Sequence, residues 1–311
     1  MNAIPYFDAH CDTISRCARD GRSLRGNEGH LDLQRLSEFG KAAQFFAIFH
    51  HLSRAPADGM FAVCRRQRDI FARELEENAD LAVQCRTAAE VRSANDGGRV
   101  AAILSCEGAE LLNCDPEKLD WARDVGIRAV NLTWNHANFF CGSHQSEQDR
   151  GLNDLGRAFV ERAQAYGILI DVSHCSDAAF WDLIRITHAP VIATHSNARS
   201  VCAHTRNLTD DMIRAVVDTG GFVGLNLYAE FVSEGESASL DDLMRHLDRF
   251  LSLGAAKHVG LGCDLDGCST LAGGLRGVQD MPLLWDALRR HGFDEALCED
   301  IFYNNLLRVL G

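Results

Sequence analysis

Residues 152–174 read LNDLGRAFVERAQAYGILIDVSH, and the way this stretch divides decides the fold. Over 152–166 apolar residues recur three and four apart among charged ones, the spacing of a helix with one buried face. Gly167 supplies the residue that ends a helix in a left-handed conformation. Residues 168–174 (ILIDVSH) then form a short apolar run rich in β-branched side chains, as a buried parallel strand requires. The run ends on His174.

The same reading extends along the chain. Seven more short runs share the pattern, at 6–12 (YFDAHCD), 42–50 (AAQFFAIFH), 100–107 (VAAILSCE), 129–134 (AVNLTW), 190–195 (PVIATH), 221–228 (GFVGLNLY) and 258–264 (HVGLGCD). Helix-like segments stand between them at 58–78, 209–219, 240–253 and 283–291. The segment at 209–219 opens on Thr-Asp-Asp, an N-terminal signature, and stops at Gly220. Eight strands alternating with helices predict an α/β protein of the (β/α)8, TIM-type barrel class, with residues 1–311 as one domain. A doubly wound sheet is the rival, but Cys11-Asp12-Thr13-Ile14 after the first strand is not its Gly-rich phosphate turn.

Composition narrows the function. Hydrophobic residues make up 46% and charged residues 24%, which excludes disorder and fibrous repeats. The formal charge of −13 repels phosphate backbones and anionic lipid, so neither a nucleic-acid nor a membrane partner is expected. No apolar run approaches the roughly 18 residues of a membrane span. The 12 cysteines are scattered, with no C-x-x-C pair. The opening MNAIPYFDAHCD lacks a basic segment followed by an apolar one. Reduced thiols in a cytoplasmic protein are the expectation.

The chemistry sits at the carboxyl ends of the runs. His10 and Asp12 close the first, Glu107 the third, His174 the fifth, His195 the sixth and Asp264 the eighth. In a barrel these ends share one face, where active sites are built. Residues two apart on a strand point the same way, so His10 and Asp12 should face the axis while Cys11, like Cys106, Cys175 and Cys263, faces outward as a small core residue. Three histidines with carboxylates around Glu107 suit two zinc-like ions sharing one bridging carboxylate and a hydroxide. At most one of His50 and His51 can approach this face. His136, His144, His188, His204, His246, His258 and His291 are expected to be surface or structural. Asp8, Glu110, Asp171 and Asp266 are expected to orient ligands or cap backbone.

In order, DAHCDT, SCEGAE, DVSH, ATHSNARSVCAHTRN and GLGCDLDG resemble the renal (membrane) dipeptidases, a branch of the amidohydrolase superfamily. The likeness runs from about residue 6 to YNNLLRVL at the end, similar to the family's closing helix. The resemblance implies a (β/α)8 barrel with two Zn2+ ions that cleaves dipeptides. It implies that His10, Asp12 and Glu107 hold one zinc, that Glu107, His174 and His195 hold the other, and that Asp264 accepts and returns a proton beside the bridging water. It further implies that Arg206 takes the substrate's carboxylate and that Asn207 and Tyr228 line the pocket. Where the animal enzymes carry a substrate-contacting histidine, this chain has Trp134, so Asn135, His136 or Asn138 is left to supply a polar contact.

The leading expectation is thus a zinc dipeptidase acting on a small dipeptide with a free C-terminal carboxylate, and a homodimer accords with the barrel's size. Two alternatives remain open. One is another amidohydrolase reaction on the same centre, removing an acyl group from an amino acid or opening a lactone or cyclic amide. The other is a non-catalytic metal-binding protein.

Overall fold

The computed structural model describes residues 4–54, 57–235 and 237–311. Nine parallel strands form its sheet: β1 (Pro5–Cys11), β2 (Lys41–Ile48), β3 (Ala82–Gln84), β4 (Val100–Cys106), β5 (Ile127–Asn131), β6 (Leu169–Asp171), β7 (Val191–Ala193), β8 (Phe222–Leu225) and β9 (Val259–Leu261). β1 pairs with both β2 and β9, and β2 pairs with β4, which closes an eight-strand ring from which only β3 is left out. A strand has two edges. β2 takes one edge of β4 over Ala101–Cys106; β3 and β5 share the other, at Val100–Ala102 and Leu104–Cys106. The (β/α)8 class is therefore the one the sequence predicts, with β3 as an extra strand at the lower rim.

Alternation sorts the side chains. Phe7, Ala9, Ala43, Phe45, Ile103 and Phe222 belong to one buried cluster with Leu306, Leu307 and Leu310 of the C-terminal helix. Their neighbours Tyr6, Ala42, Phe46, Leu104 and Val223 belong to the other, with the surrounding helices. Apolar side chains and the C-terminal helix thus fill the lower barrel, and the polar residues are left to the carboxyl-end mouth. Cys106, Cys175 and Cys263 lie in the outer cluster as expected, and so does Cys11, although strict alternation from Phe7 and Ala9 would turn it inward.

One irregularity turns β1 toward the site. Asp8 pairs with Gln44 but Cys11 pairs with Phe46, so three steps on β1 face two on β2. This is a β-bulge. Without it His10 would share the face of Asp8; with it His10 joins Asp12 at the mouth. The Asp8 carboxylate braces the bulge: Oδ1 accepts the N–H of His10 (3.3 Å) and of Cys263 (2.8 Å), and Oδ2 accepts the Tyr6 hydroxyl (3.0 Å).

Elements differ from the sequence reading mostly at their ends. The run at 129–134 forms β5 two residues earlier, and β6 and β9 stop three residues short of His174 and Asp264. Both of those residues have positive φ, 72° and 59°, and an extended strand cannot continue through that conformation. The helices expected at 58–78, 152–166, 209–219, 240–253 and 283–291 appear as Met60–Glu77, Asp154–Ala165, Asp210–Asp218, Leu240–Ser252 and Met281–His291. Gly167, at φ 68°, ends the second of these. Helices Thr13–Asp20, Ala88–Asp96, Lys118–Val125 and Asp177–Ile186 are additional to that reading.

Leu306→Ala should destabilise the protein by about 2–5 kcal/mol, because this side chain is 1% exposed in the plug and a cavity replaces it. The urea unfolding midpoint measures the loss.

Candidate metal centre

Six side chains from five strand ends meet at the mouth. His10, Asp12 and Glu107 form one cluster of ligand atoms, Glu107, His174 and His195 a second, and His10, His195 and Asp264 a third, each within 4.8 Å. Glu107 links the first two: Oε2 lies 3.5 Å from His10 Nε2, and Oε1 lies 3.0 Å from His174 Nε2 and 3.5 Å from His195 Nε2. Nitrogen and oxygen ligands about 2.0–2.1 Å from a tetrahedral ion lie ~3.3 Å apart, so these separations suit a cation between them.

Hydrogen bonding around the histidines makes the same point independently. His174 Nδ1 donates to Asn135 Oδ1 (2.7 Å), and His195 Nδ1 donates to the Thr194 hydroxyl (2.7 Å), which in turn donates to Asp171. Both Nε2 atoms are thereby left as lone pairs, yet they face each other at 3.1 Å. Two lone pairs at that distance repel unless a cation lies between them. His10 Nε2 and Asp12 Oδ1 are buried and have no hydrogen-bond partner among the described residues. The donor set therefore fits divalent metal.

Burial sets the protonation pattern. It pushes the Asp264 carboxyl up to about 7; Asp12 and Glu107 add to this while His10 and Arg206 oppose it. Burial raises Glu107 as well, against the pull of His10. Burial, reinforced by Arg206 and His10, drives His174 and His195 well below the usual imidazole value. For His10 burial acts in the same sense, but Glu107 and Asp12 outweigh it and hold the ring well above that value. Neutral His174 and His195 beside acidic groups are ready ligands.

The other residues expected from the sequence fall into different surroundings. Arg206 is 2% exposed; its Nη1 donates to Ser196 Oγ (2.7 Å), while Nε and Nη2 have no partner among the described residues. Trp134 stands between Phe49 and His51, at 4.9 Å from each ring, and lies 6.1 Å from the His174 ring, as a half-buried wall. Asn135 spends its oxygen on His174, and Asn138 spends its carboxamide on Leu132 O and the N–H of Phe140 and Cys141. Asn207 donates to Cys202 O and Phe231 O, bracing the loop that carries Arg206. Tyr228 lines an open cleft of about 480 Å³ with His204 and Glu230. Of the histidine pair after β2, His51 reaches the Trp134 wall, and exposed His136 lies 5.8 Å from it.

Sequence reading missed three participants. Asn226 donates to Asp264 Oδ2 (3.4 Å) and to His195 O (3.3 Å); a lone amide inside the apolar run GFVGLNLY was its signal. Thr194 joins Asp171 to His195. His144, expected to be structural, hydrogen-bonds Asn135 Oδ1 (2.9 Å) beside His174. Gly267 is a fourth special position, because a methyl group there would collide with Asp264 Oδ1 and Asp12 Oδ2.

A closed parallel barrel with imidazoles and carboxylates gathered at its carboxyl-end mouth has the place and the donor set for metal-dependent chemistry. The family model described as membrane dipeptidase (peptidase family M19) matches residues 1–311, and the chain belongs to that family of peptide-bond hydrolases. A dipeptidase from Aspergillus oryzae, aclJ, is 30% identical over 331 aligned positions, covering 100% of this chain and 78% of that protein. Among solved structures, an M19 metallopeptidase described as dipeptidase AC superposes with TM-score 0.92 at 32% identity, over 99% of this chain and 98% of that one. A Rhodobacter sphaeroides metallopeptidase bound to a phosphinate mimic of the dipeptide L-Ala-D-Ala gives 0.90 at 31%, covering 99% of both chains. Among the described residues, no helix is long and apolar enough to cross a membrane.

Two outcomes are expected of the centre itself. Gly267→Ala should weaken divalent-metal binding about tenfold or more in a chelator competition titration, because Asp12 and Asp264 must move apart. In metal-free protein, Asp264→Asn should raise the melting temperature at pH 8 but not at pH 4. The folded pKa, about 7, stands above the unfolded value of 3.8, so burying the ionised carboxylate costs stability above both values and costs none below them.

Proposed function

We propose that the protein is a dinuclear zinc dipeptidase that hydrolyses dipeptides with a free C-terminal carboxylate. The observation that carries this reading is the Arg206 guanidinium. It is almost wholly buried, and two of its N–H-bearing atoms lack partners among the described residues, beside a cluster of potential metal ligands. A buried cation with open donors is costly unless an anion completes it. Its planar fork suits a carboxylate, gripped by two parallel hydrogen bonds. A longer peptide would present an amide at that place.

In this reading His10, Asp12 and Glu107 would hold one ion, and Glu107, His174 and His195 would hold the other. Two divalent ions supply Lewis acidity, polarising the scissile carbonyl and lowering the pKa of water toward 7. The chain's own residues do the rest. Arg206 anchors the substrate's carboxylate, so the peptide bond is presented at a set distance from Glu107 and Asp264. Asp264, with Asn226 on its Oδ2, takes the proton of the attacking water and delivers it to the leaving amine. Trp134, with Phe49 and His51, walls the side toward His174, and Tyr228 borders the cleft beyond the Arg206 loop.

Hydrolysis of an N-acyl amino acid is the second reading, because Arg206 would grip that carboxylate equally well. A cytoplasmic setting accords with all 12 cysteines being free and buried.

Zinc-loaded protein should release free amino acids from L,L- or L,D-dipeptides and none from N-acyl amino acids; the reverse would transfer the assignment to the second reading. Arg206→Ala should lower kcat/KM on dipeptides by about a hundredfold or more, the cost of a lost charge-assisted pair, and leave a substrate without a carboxylate nearly unaffected. Asp264→Asn should lower kcat about 10²–10⁴-fold.

A further inference from the structure

A chain of hydrogen bonds runs from the candidate ligand His174 to the loop bearing Arg206, and none of its members is needed to hold metal or substrate directly. His174 Nδ1–H donates to Asn135 Oδ1 (2.7 Å). The same oxygen takes a second donor, Nε2–H of His144, at 2.9 Å. His144 Nδ1 then lies 3.1 Å from the Thr205 hydroxyl, and Thr205 immediately precedes Arg206. The directions follow from the chemistry. An amide oxygen can only accept, so both rings donate to it. A neutral His144 ring that donates from Nε2 keeps its lone pair on Nδ1, which accepts from the Thr205 hydroxyl.

Two more contacts fix this strap. His144 N–H donates to His174 O (2.9 Å), stitching the loop after β5 to the left-handed turn at His174. The Thr205 carbonyl accepts from Arg199 (3.2 Å), itself bidentate to Asp177 at 2.7 and 2.8 Å, on the helix that follows the same turn. The guanidinium and the ligand are thus referred to one rigid segment, although they stand 32 residues apart.

We propose that His144 is a positioning residue that sets the distance between the carboxylate-gripping Arg206 loop and the metal ligand His174. It acts through Asn135 on one side and Thr205 on the other. The Arg206 half rests on the dipeptidase reading; the His174 half rests only on metal binding.

Conservative variants separate the two halves. Gln at 144 can keep an N–H near the Nε2 position, and Asn can keep an oxygen near Nδ1. His144→Ala should weaken zinc affinity about tenfold or more, read by chelator competition without turnover. It should also raise KM for a dipeptide about three- to tenfold, the range for one lost hydrogen bond. His144→Gln should restore zinc affinity but not KM, and His144→Asn the reverse. Thr205→Val should raise KM and leave zinc affinity unchanged, which serves as the second variant if His144→Ala does not fold. The proposal is overturned if Ala, Gln and Asn behave alike in both measurements, or if His144→Ala and Thr205→Val match the wild type. Should the wild type cleave no dipeptide, the dipeptidase reading falls, while zinc affinity across Ala, Gln and Asn still decides the role of His144.

Discussion

Glu107 is the group on which the rest of the centre depends, because one buried carboxylate has to serve three imidazoles at once. His10, His174 and His195 all direct Nε2 toward it at 3.0–3.5 Å, and Asp12 and Asp264 crowd the same volume. The outer nitrogens of His174 and His195 are already committed, so neutral rings set two lone pairs against each other, and a proton on either inner nitrogen adds a buried charge. A divalent cation set against Glu107 resolves the conflict, and this demand accounts for the surrounding residues that hold others in place.

The barrel meets this demand by concentrating irregular backbone at one end. The lower barrel is ordinary apolar packing, sealed by the C-terminal helix. At the mouth the bulge in β1 re-aims His10, and left-handed residues at His174 and Asp264 carry each chain away just where its side chain is delivered. Such conformations cost of order 1–3 kcal/mol each and persist only where neighbours over-determine them. Asp8, Asp171, Asn135 and Asn226 are those neighbours, each spending its oxygens or amide on backbone or on a ligand's far nitrogen.

Division of labour follows from burial. The outer cleft near Tyr228 and Glu230 is open, whereas Arg206 and five of the six clustered groups are buried and Asp264 is half-buried. Electrostatic interactions among those groups are strong for that reason. In the proposed dipeptidase reading the same low dielectric makes Arg206, whose Nε and Nη2 have no partner among the described residues, selective for a ligand of opposite charge.

Much of this was legible in the chain alone. Eight short apolar runs, helical spacing between them and metal-type residues at their carboxyl ends determined the barrel, its order and the six residues that meet, because strand alternation and barrel polarity are local rules applied eight times. Trp134 as a wall could be anticipated from its place after a strand. Tertiary structure alone decided that Asp8 braces a bulge instead of facing the site, that Asn135 serves His174, and that His144 joins two distant loops. Those outcomes depend on hydrogen bonds between residues tens of positions apart and on where loops leave the strands. No periodicity in the sequence encodes either; ring closure does.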